Sequence, residues 1–279
     1  MIIGICGAGT MGRGIAIASL TAGHGVVIFD ISDEALTAAR NNVIEQLRKA
    51  VEKGKLDAAA CAIAEQNIVT GSSIDVMSTT DIVIEAIAER LGIKHALFTE
   101  LERVCRPDAI LTSNTSSISI ASLARCLANP SRFAGLHFFN PAHIMKLVEV
   151  IKGPRTSDDV VATCVEFAKG LGKTPVVASD APGFIVNRIA RNYYNESQRI
   201  VMEGAASIAQ VDTLMKGIGF KMGPFELMDL IGVDVNLDVT KSQWEQFFHE
   251  PRFTPSLLQQ QYVDAGLHGK KSSGGFFSY

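Results

Sequence analysis

The feature that most constrains this chain is a glycine pattern close to its start. Gly7, Gly9 and Gly12 form G-x-G-x-x-G directly after a short apolar run at positions 2–6, and apolar residues at helical spacing follow. A short run of this kind is typical of a strand that is buried on both faces. The sequence therefore predicts a strand, a tight turn and a helix whose start can bind the pyrophosphate of a dinucleotide.

The three glycines and a later acid each have a mechanical reason. Gly7 permits the tight turn, Gly9 lets a pyrophosphate approach the backbone, and Gly12 lets the helix lie close to the strand. Asp30 ends the second apolar run, 30 − 12 = 18 positions after the last glycine, near the ~20 expected for a carboxylate that binds ribose hydroxyls. Because a carboxylate repels a 2′-phosphate, Asp30 favours NAD over NADP, although the cation Arg13 could soften that preference. The alternative is a tight turn that binds no ligand.

Length and composition restrict the class of protein. A chain of 279 residues exceeds the usual size of a single core, so two domains are expected. A net charge of −3 gives no sign of binding to nucleic acid or an anionic membrane. We expect no signal peptide, and no apolar run approaches the ~18 residues that span a bilayer. The five cysteines lack metal-ligand and C-x-x-C spacing, which indicates reduced thiols in a cytoplasmic protein without a metal.

Strand and helix patterns alternate up to about position 180, and helical patterns alone follow. The predicted strands after the glycine unit lie at 68–70, 81–87, 109–112, 133–139, 147–151 and 174–178. This alternation predicts an α/β fold with a Rossmann-type, doubly wound parallel sheet. Later helical spacing covers 184–203, 208–218, 225–248 and 256–265. We place the boundary near 180–183, between an NAD-binding domain over 1–181 and a smaller all-helical domain over 182–279.

Two segments leave alternatives open. The stretch 227–239 is too apolar for a free surface, and we favour a subunit interface over an internal core. A basic cluster at 48–55 ends the second predicted helix. By itself that cluster is either a solvated helix end, which suits the helix dipole, or a handle for an anionic substrate tail.

Four polar residues from separate segments could carry chemistry. Oxidation of an alcohol needs a base for the hydroxyl proton, and His137 is the natural choice because an imidazole titrates near ~6.5. Glu149 could hold the far ring nitrogen, and Ser116 and Asn187 could orient the substrate oxygen. Three of them also have a plain structural interpretation: His137 as a satisfied core histidine, Glu149 as a surface charge and Ser116 as a helix cap. Periodicity alone does not show that these residues meet.

Eight motifs together resemble the L-3-hydroxyacyl-CoA dehydrogenase family, most closely the short bacterial 3-hydroxybutyryl-CoA dehydrogenases. The resemblance covers essentially the whole chain and implies NAD-linked interconversion of (S)-3-hydroxyacyl-CoA and 3-oxoacyl-CoA, with short acyl chains. The motifs are G-A-G-T-M-G at 7–12, V-I-E-A at 83–86, S-N-T-S-S at 113–117, G-L-H-F-F-N-P at 135–141, M-K-L-V-E-V at 145–150, A-P-G-F-I-V-N-R at 181–188, M-G-P-F-E-L at 222–227 and G-K-K-S-S-G-G-F-F at 269–277.

The resemblance assigns roles residue by residue. It implies that His137 is the catalytic base, Glu149 its orienting partner, and Ser116 and Asn187 the substrate-positioning groups. It places the coenzyme A lysine at Lys53, within the basic cluster, and the homodimer interface in the C-terminal helices. The implied cofactor contacts are Gly7, Ala8, Gly9, Thr10, Met11, Gly12, Asp30, Glu89, Lys94, Ser116, Asn140 and Lys271.

The chain departs from the family's pattern at three positions. Gln46 stands where relatives can have serine, and His143 and Asn192 stand where relatives often have proline. These changes leave the chemistry intact and put only acyl and nucleotide-tail details in doubt. Two other functions stay open: an NADH-binding protein like lambda-crystallin, which resembles this family, and a dehydrogenase of a free hydroxy acid such as gulonate.

Overall fold

The computed structural model describes residues Met1–Tyr279, which separate into two compact units, Met1–Ala181 and Pro182–Tyr279. All eight strands lie in the first unit, and the second unit is helical. This confirms the predicted fold class. No helix has the length and apolarity needed to cross a membrane.

The first unit is built on one sheet with the strand order β3-β2-β1-β4-β5-β6-β7-β8. The strands are β1 (Ile2–Cys6), β2 (Gly25–Phe29), β3 (Ile68–Gly71), β4 (Ile82–Glu85), β5 (Ile110–Ser113), β6 (Phe133–Phe138), β7 (Leu147–Lys152) and β8 (Thr174–Ser179). The chain moves outward from β1 to β3 and then returns to place β4 on the other side of β1. The order therefore reverses between β1 and β4, which is the point where ligands bind in doubly wound sheets.

The sheet differs from the predicted parallel one at a single pair. Strands β1 to β6 are parallel, but β7 runs antiparallel to β6, and β8 is parallel to β7. The cause is the connection, because only residues 139–146 join β6 to β7. A parallel return needs a crossover of a dozen or more residues.

Six α-helices belong to the first unit. They are α1 (Thr10–Thr21), α2 (Asp33–Glu52), α3 (Ala58–Gln66), α4 (Leu91–Val104), α5 (Ile120–Ala124) and α6 (Asp158–Gly170). Side chains cap four of them, α2, α3, α5 and α6. Ser32 caps α2 by accepting the Ala35 amide at 3.1 Å, which satisfies an orphan donor of the first turn. The buried face of α2 is Leu36, Ala39, Val43 and Leu47, at helical spacing. The short α5 was not predicted, because five residues are too few to show a period.

The second unit contains five helices around its own core. They are α7 (Val186–Met202), α8 (Ile208–Gly217), α9 (Pro224–Ile231), α10 (Val233–Gln246) and α11 (Leu257–Asp264). The prediction of one helix over 225–248 is wrong, because helical conformation is interrupted at Gly232, whose φ of +107° lies outside the helical region. Within the apolar stretch 227–239, Met228 and Val233 are buried, whereas Leu230 is 51% exposed. The stretch therefore contributes to the core and also leaves apolar surface.

We predict that Gly12→Ala destabilises the protein. A Cβ at this position would lie 1.9 Å from the backbone oxygen of Gly7, so α1 would have to move away from β1, and overpacking of this kind costs about 1–3 kcal/mol or more. Gly170→Ala is the matched control, since a Cβ there meets no atom within 4 Å and alanine favours a helix by about 0.5–1 kcal/mol. Urea unfolding checks both variants. An unchanged midpoint for Gly12→Ala would contradict the close packing described here.

Candidate active site

The glycine turn has a fixed backbone and open space beside Gly9. Gly7 has a φ of +113°, and its amide donates to the Phe29 oxygen at 2.8 Å. A Cβ on Gly9 would meet no atom within 4 Å, and no side chain caps the start of α1. The first amides of that helix thus face open space beside a residue without a side chain. This is the arrangement that a pyrophosphate requires.

Asp30 lies at the end of β2 and fixes the same turn from the other side. Its carboxylate accepts the Ala8 amide at 2.8 Å and the Ser32 amide at 3.1 Å. A cavity of about 760 Å³ adjoins Gly7, Gly9 and Asp30. A cavity with an acid at its rim and the glycine turn at its end suits the adenosine half of a dinucleotide.

The apolar wall of this cavity includes Ile74, Ile87, Ile93 and Leu97. None of these residues was singled out in the sequence, because an apolar residue carries no chemical signature that separates a ligand wall from a core. They come together because they follow β3 and β4 or lie on α4. Only the folded chain shows that these segments face one cavity.

A buried ion pair lies behind the loop that follows β4. Glu85 is fully buried at the end of β4, and its Oε1 lies 2.6 Å from Nζ of Lys94, which is 1% exposed. The same ammonium lies 2.9 Å from Oε2 of Glu89. Ser113 donates to the other oxygen of Glu85 at 2.6 Å. The structure therefore places two predicted cofactor contacts, Glu89 and Lys94, in one network with a carboxylate that the sequence analysis did not single out.

Glu89 also holds the polar loop that follows β5. Its Oε1 accepts hydrogen bonds from the hydroxyls of Thr115 and Ser117 and from the amide of Ser116 at 3.2 Å. Burial raises the pKa of Glu89, but Lys94 and the hydroxyl hydrogen bonds lower it by more, so its pKa is lowered overall. A charged Glu89 thus fixes the backbone that carries Ser116.

His137 and Glu149 meet directly across the antiparallel strands. They are opposite residues in the β6–β7 register, and Nδ1 of His137 lies 2.7 Å from Oε2 of Glu149. The histidine is 6% exposed and the glutamate 1%. Because Nδ1 is bonded to the carboxylate, proton exchange with a substrate would use Nε2. Such a pair can act as a base whose protonated form is stabilised by its partner.

Asn114, which follows β5, links the ends of β4 and β6. Its backbone amide donates to the backbone carbonyl oxygen of Glu85, and its side-chain oxygen accepts the backbone amide of Phe138, both at 2.8 Å. The sequence analysis missed this role, because an asparagine in a polar loop has many possible partners. No group of three or more His, Cys, Asp or Glu side chains is arranged to hold a metal ion.

The other predicted residues belong to further segments of the chain. Asn140 follows β6, is exposed and lines a cavity together with Thr10 and Arg13, and Lys53 is exposed just after α2. Asn187 and Lys271 belong to the second unit, where Nζ of Lys271 lies 2.6 Å from Asp234. Within the first unit, the structure thus places the glycine turn, Asp30, Glu89, Ser116 and Asn140 after the carboxyl ends of parallel strands.

Two family models match consecutive parts of the chain. The model described as "3-hydroxyacyl-CoA dehydrogenase, NAD binding domain" matches residues 2–181. The model described as "3-hydroxyacyl-CoA dehydrogenase, C-terminal domain" matches residues 183–279.

Individual proteins are similar over nearly the whole chain. The chain is 47% identical to the 3-hydroxyadipyl-CoA dehydrogenase of Escherichia coli over 278 residues, but spans only 58% of that longer protein. It is 41% identical to a probable 3-hydroxybutyryl-CoA dehydrogenase of Deinococcus radiodurans, and the match covers 100% of both chains. Among solved structures, the (S)-3-hydroxybutyryl-CoA dehydrogenase of Ralstonia eutropha matches with a TM-score of 0.96 and 40% identity, covering 100% of this chain and 98% of that one.

We predict that Gly9→Val folds normally but binds NADH weakly. A Cβ on Gly9 would meet no protein atom within 4 Å, so we expect the added side chain to collide with the ligand, whose pyrophosphate must approach this backbone. Titration of NADH followed by its fluorescence should show at least a roughly tenfold higher Kd, with an unchanged urea midpoint. Equal affinity in the variant and the unmodified protein would place the pyrophosphate elsewhere.

Proposed function

The chain belongs to the 3-hydroxyacyl-CoA dehydrogenase family of NAD-dependent enzymes, and from that premise we propose that it interconverts (S)-3-hydroxyacyl-CoA and 3-oxoacyl-CoA of short chain length, with 3-hydroxybutyryl-CoA as the expected substrate. The observation that carries the proposal is the buried contact of 2.7 Å between His137 and Glu149. An imidazole held in this way is a suitable base for a hydroxyl proton.

The proposed mechanism assigns one proton transfer to the pair. NAD, when bound, supplies the acceptor for the hydride that leaves the substrate's C3. The proton of the 3-hydroxyl passes to Nε2 of His137 as the carbonyl forms. Glu149 holds the neutral imidazole in the tautomer with its proton on Nδ1, and then stabilises the imidazolium. In the reverse direction the imidazolium returns the proton to the carbonyl oxygen.

Substrate positioning falls to three further residues in this proposal. Ser116 would donate a hydrogen bond from its hydroxyl to the substrate oxygen. The hydrogen bonds between its loop and Glu89 support this role, because they fix the position of Ser116. Asn187 would contribute a side-chain amide from the second unit. Lys53 would bind a phosphate of coenzyme A, for which its exposure suits a flexible, charged tail.

The nucleotide would extend across the carboxyl ends of the parallel strands. The glycine turn from Gly7 to Gly12 would bind the pyrophosphate and Asp30 the adenosine ribose, with Glu89, Lys94, Ser116 and Asn140 toward the nicotinamide, and Lys271 contributing from the second unit. Asp30 supports a preference for NAD over NADP, because a second anion beside its carboxylate would be repelled. Use of NADP stays open through Arg13.

We further propose a homodimer formed by the C-terminal helices. Exposed apolar side chains in the second unit, including Leu214, Ile218 and Leu230, support an interface there. We propose a cytoplasmic location as well, because all five cysteines are free. The net charge of −3 favours neither a nucleic-acid nor a membrane partner.

We predict NADH oxidation in the presence of acetoacetyl-CoA, with severe loss in two variants. His137→Gln should lower kcat by about 10²–10⁴ because the general base is lost. Glu149→Gln should lower it by up to about 10⁴ because the amide no longer fixes the imidazole tautomer. The fall in absorbance of the reduced nicotinamide measures both rates, and NADH titration checks that binding persists.

The controls separate the alternatives. If the unmodified, folded protein binds NADH tightly but does not oxidise it in the presence of any 3-oxoacyl-CoA, a crystallin-like binding role gains support. Trials with NADPH, with longer acyl chains and with the acidic 3-oxoadipyl-CoA should precede that conclusion, since one relative is named for a hydroxyadipyl thioester. An unchanged rate in His137→Gln would reject His137 as the base.

We predict that Lys53→Ala raises the KM for a coenzyme A thioester and leaves the KM for a free acid unchanged. The KM for acetoacetyl-CoA should rise by roughly fivefold, because an exposed charge pair contributes about 1 kcal/mol, while kcat stays constant. Lys55→Ala is the matched control, since it removes an exposed lysine from the same basic segment. Equal turnover of acetoacetyl-CoA and free acetoacetate, unaffected by either variant, would favour a dehydrogenase of free hydroxy acids.

A further inference from the structure

Glu85 is a fully buried carboxylate to which the proposed proton transfer gives no role. It belongs to a triad, defined as Glu85, Lys94 and Glu89, in which the ammonium lies 2.6 Å from one carboxylate and 2.9 Å from the other. Two carboxylates against one ammonium leave an excess of one negative charge. The other groups that contact the triad are neutral hydroxyls and amides.

The excess charge is fixed in place and partly shielded from solvent. The side chains of Glu85 and Lys94 are 0% and 1% exposed, whereas that of Glu89 is 38% exposed. Glu89 is prevented from turning away, because the hydroxyls of Thr115 and Ser117 hold its other oxygen. Salt screens buried charges far less than exposed ones. The triad therefore produces a negative potential, only partly screened by salt, at the carboxyl ends of β4 and β5.

The proposed path of the nucleotide brings its nicotinamide toward these strand ends. The adenosine half would occupy the cavity beside Asp30, and the pyrophosphate would lie at Gly9. A dinucleotide that crosses the switch point must then extend its other half toward β5 and β6, past Glu89 and Ser116. The nicotinamide ring is positively charged in NAD⁺ and neutral in NADH, and the rest of the molecule is the same in both.

We infer that the triad acts as a single fixed negative charge that strengthens binding of NAD⁺ relative to NADH, with Glu85 setting that charge through Lys94. The inference rests on the nucleotide path proposed above. A negative charge close to the ring attracts the oxidised form and has little effect on the reduced form. Because binding and redox equilibria are linked, tighter binding of NAD⁺ makes its reduction on the enzyme less favourable, so the bound nucleotide would favour reduction of the 3-oxoacyl group. Glu85 is a positioning residue here, since it acts through Lys94.

The test is the ratio of two dissociation constants, Kd for NADH divided by Kd for NAD⁺, measured by calorimetric titration of the full chain at one ionic strength. Glu85→Gln is nearly isosteric, and its amide can still accept from Lys94. It removes the excess charge, so the ratio should fall by roughly three- to tenfold. A merely structural role for Glu85 would weaken both nucleotides alike and leave the ratio unchanged.

Two further variants isolate the charge. The double variant Glu85→Gln/Lys94→Met loses one negative and one positive charge, so the ratio should return close to that of the unmodified protein, even if both affinities fall. Glu166→Gln is the matched control, because it removes a carboxylate that is 71% exposed on α6 and paired with Lys169. Its ratio should not change, since solvent screens such a charge.

The outcomes distinguish this inference from the proposed function. If the unmodified protein binds neither nucleotide, the nucleotide site itself is wrong. If it binds both, and Glu85→Gln leaves the ratio unchanged, the inference alone is overturned. Should Glu85→Gln fail to fold, Glu89→Gln removes the exposed member of the triad without altering the buried ion pair, and must lower the ratio in the same direction for the inference to stand.

Discussion

The antiparallel pairing of β6 with β7 is the constraint on which the candidate active site depends. In the observed register, His137 is opposite Glu149, and the apolar pairs on either side, Leu136 with Val150 and Phe138 with Val148, are buried. A shift by one residue would turn the carboxylate to the other face of the sheet, among apolar side chains. Burial of an unpaired charge there would be very unfavourable. The apolar residues of β7 therefore enforce the polar contact.

Carboxylates also organise the loops at the carboxyl ends of the strands. Asp30 accepts the amide of Ala8, Glu85 that of Ile87, and Glu89 that of Ser116. Hydrogen bonds from backbone amides to charged acceptors are stronger than those between neutral groups. The loops that would surround a nucleotide are thus held by side chains and do not depend on the ligand for their shape. This preorganisation lowers the entropy that binding must overcome.

Much of this arrangement follows from local sequence patterns, and the exceptions have physical causes. Short apolar runs locate the strands and period-3.6 patterns locate the helices, because both report which residues are buried. They do not report strand direction, so the reversal of β7 depends on the length of its connection. They also missed the break at Gly232, where the apolar spacing continues through a residue that leaves the helical region.

The site itself was predictable only in part. Asp30 and the glycines could be identified because their spacing reflects the ligand they are suited to bind. The contact between His137 and Glu149 was expected, yet the roles of both came from family resemblance. Glu85 and Asn114 were missed since each acts through a distant partner, and no sequence interval encodes a contact between loops from different strands.

The surroundings of the glycine turn bear on how such a site could decay. Gly12 is closed to any larger residue by the Gly7 oxygen, whether or not a nucleotide is present, whereas the space beside Gly9 is open in the protein alone. In a descendant that no longer binds the nucleotide, residues other than glycine would be tolerated at position 9, whereas glycine would still be required at position 12. Loss of the middle glycine with the outer ones intact would therefore mark a lineage that kept this architecture after abandoning its cofactor.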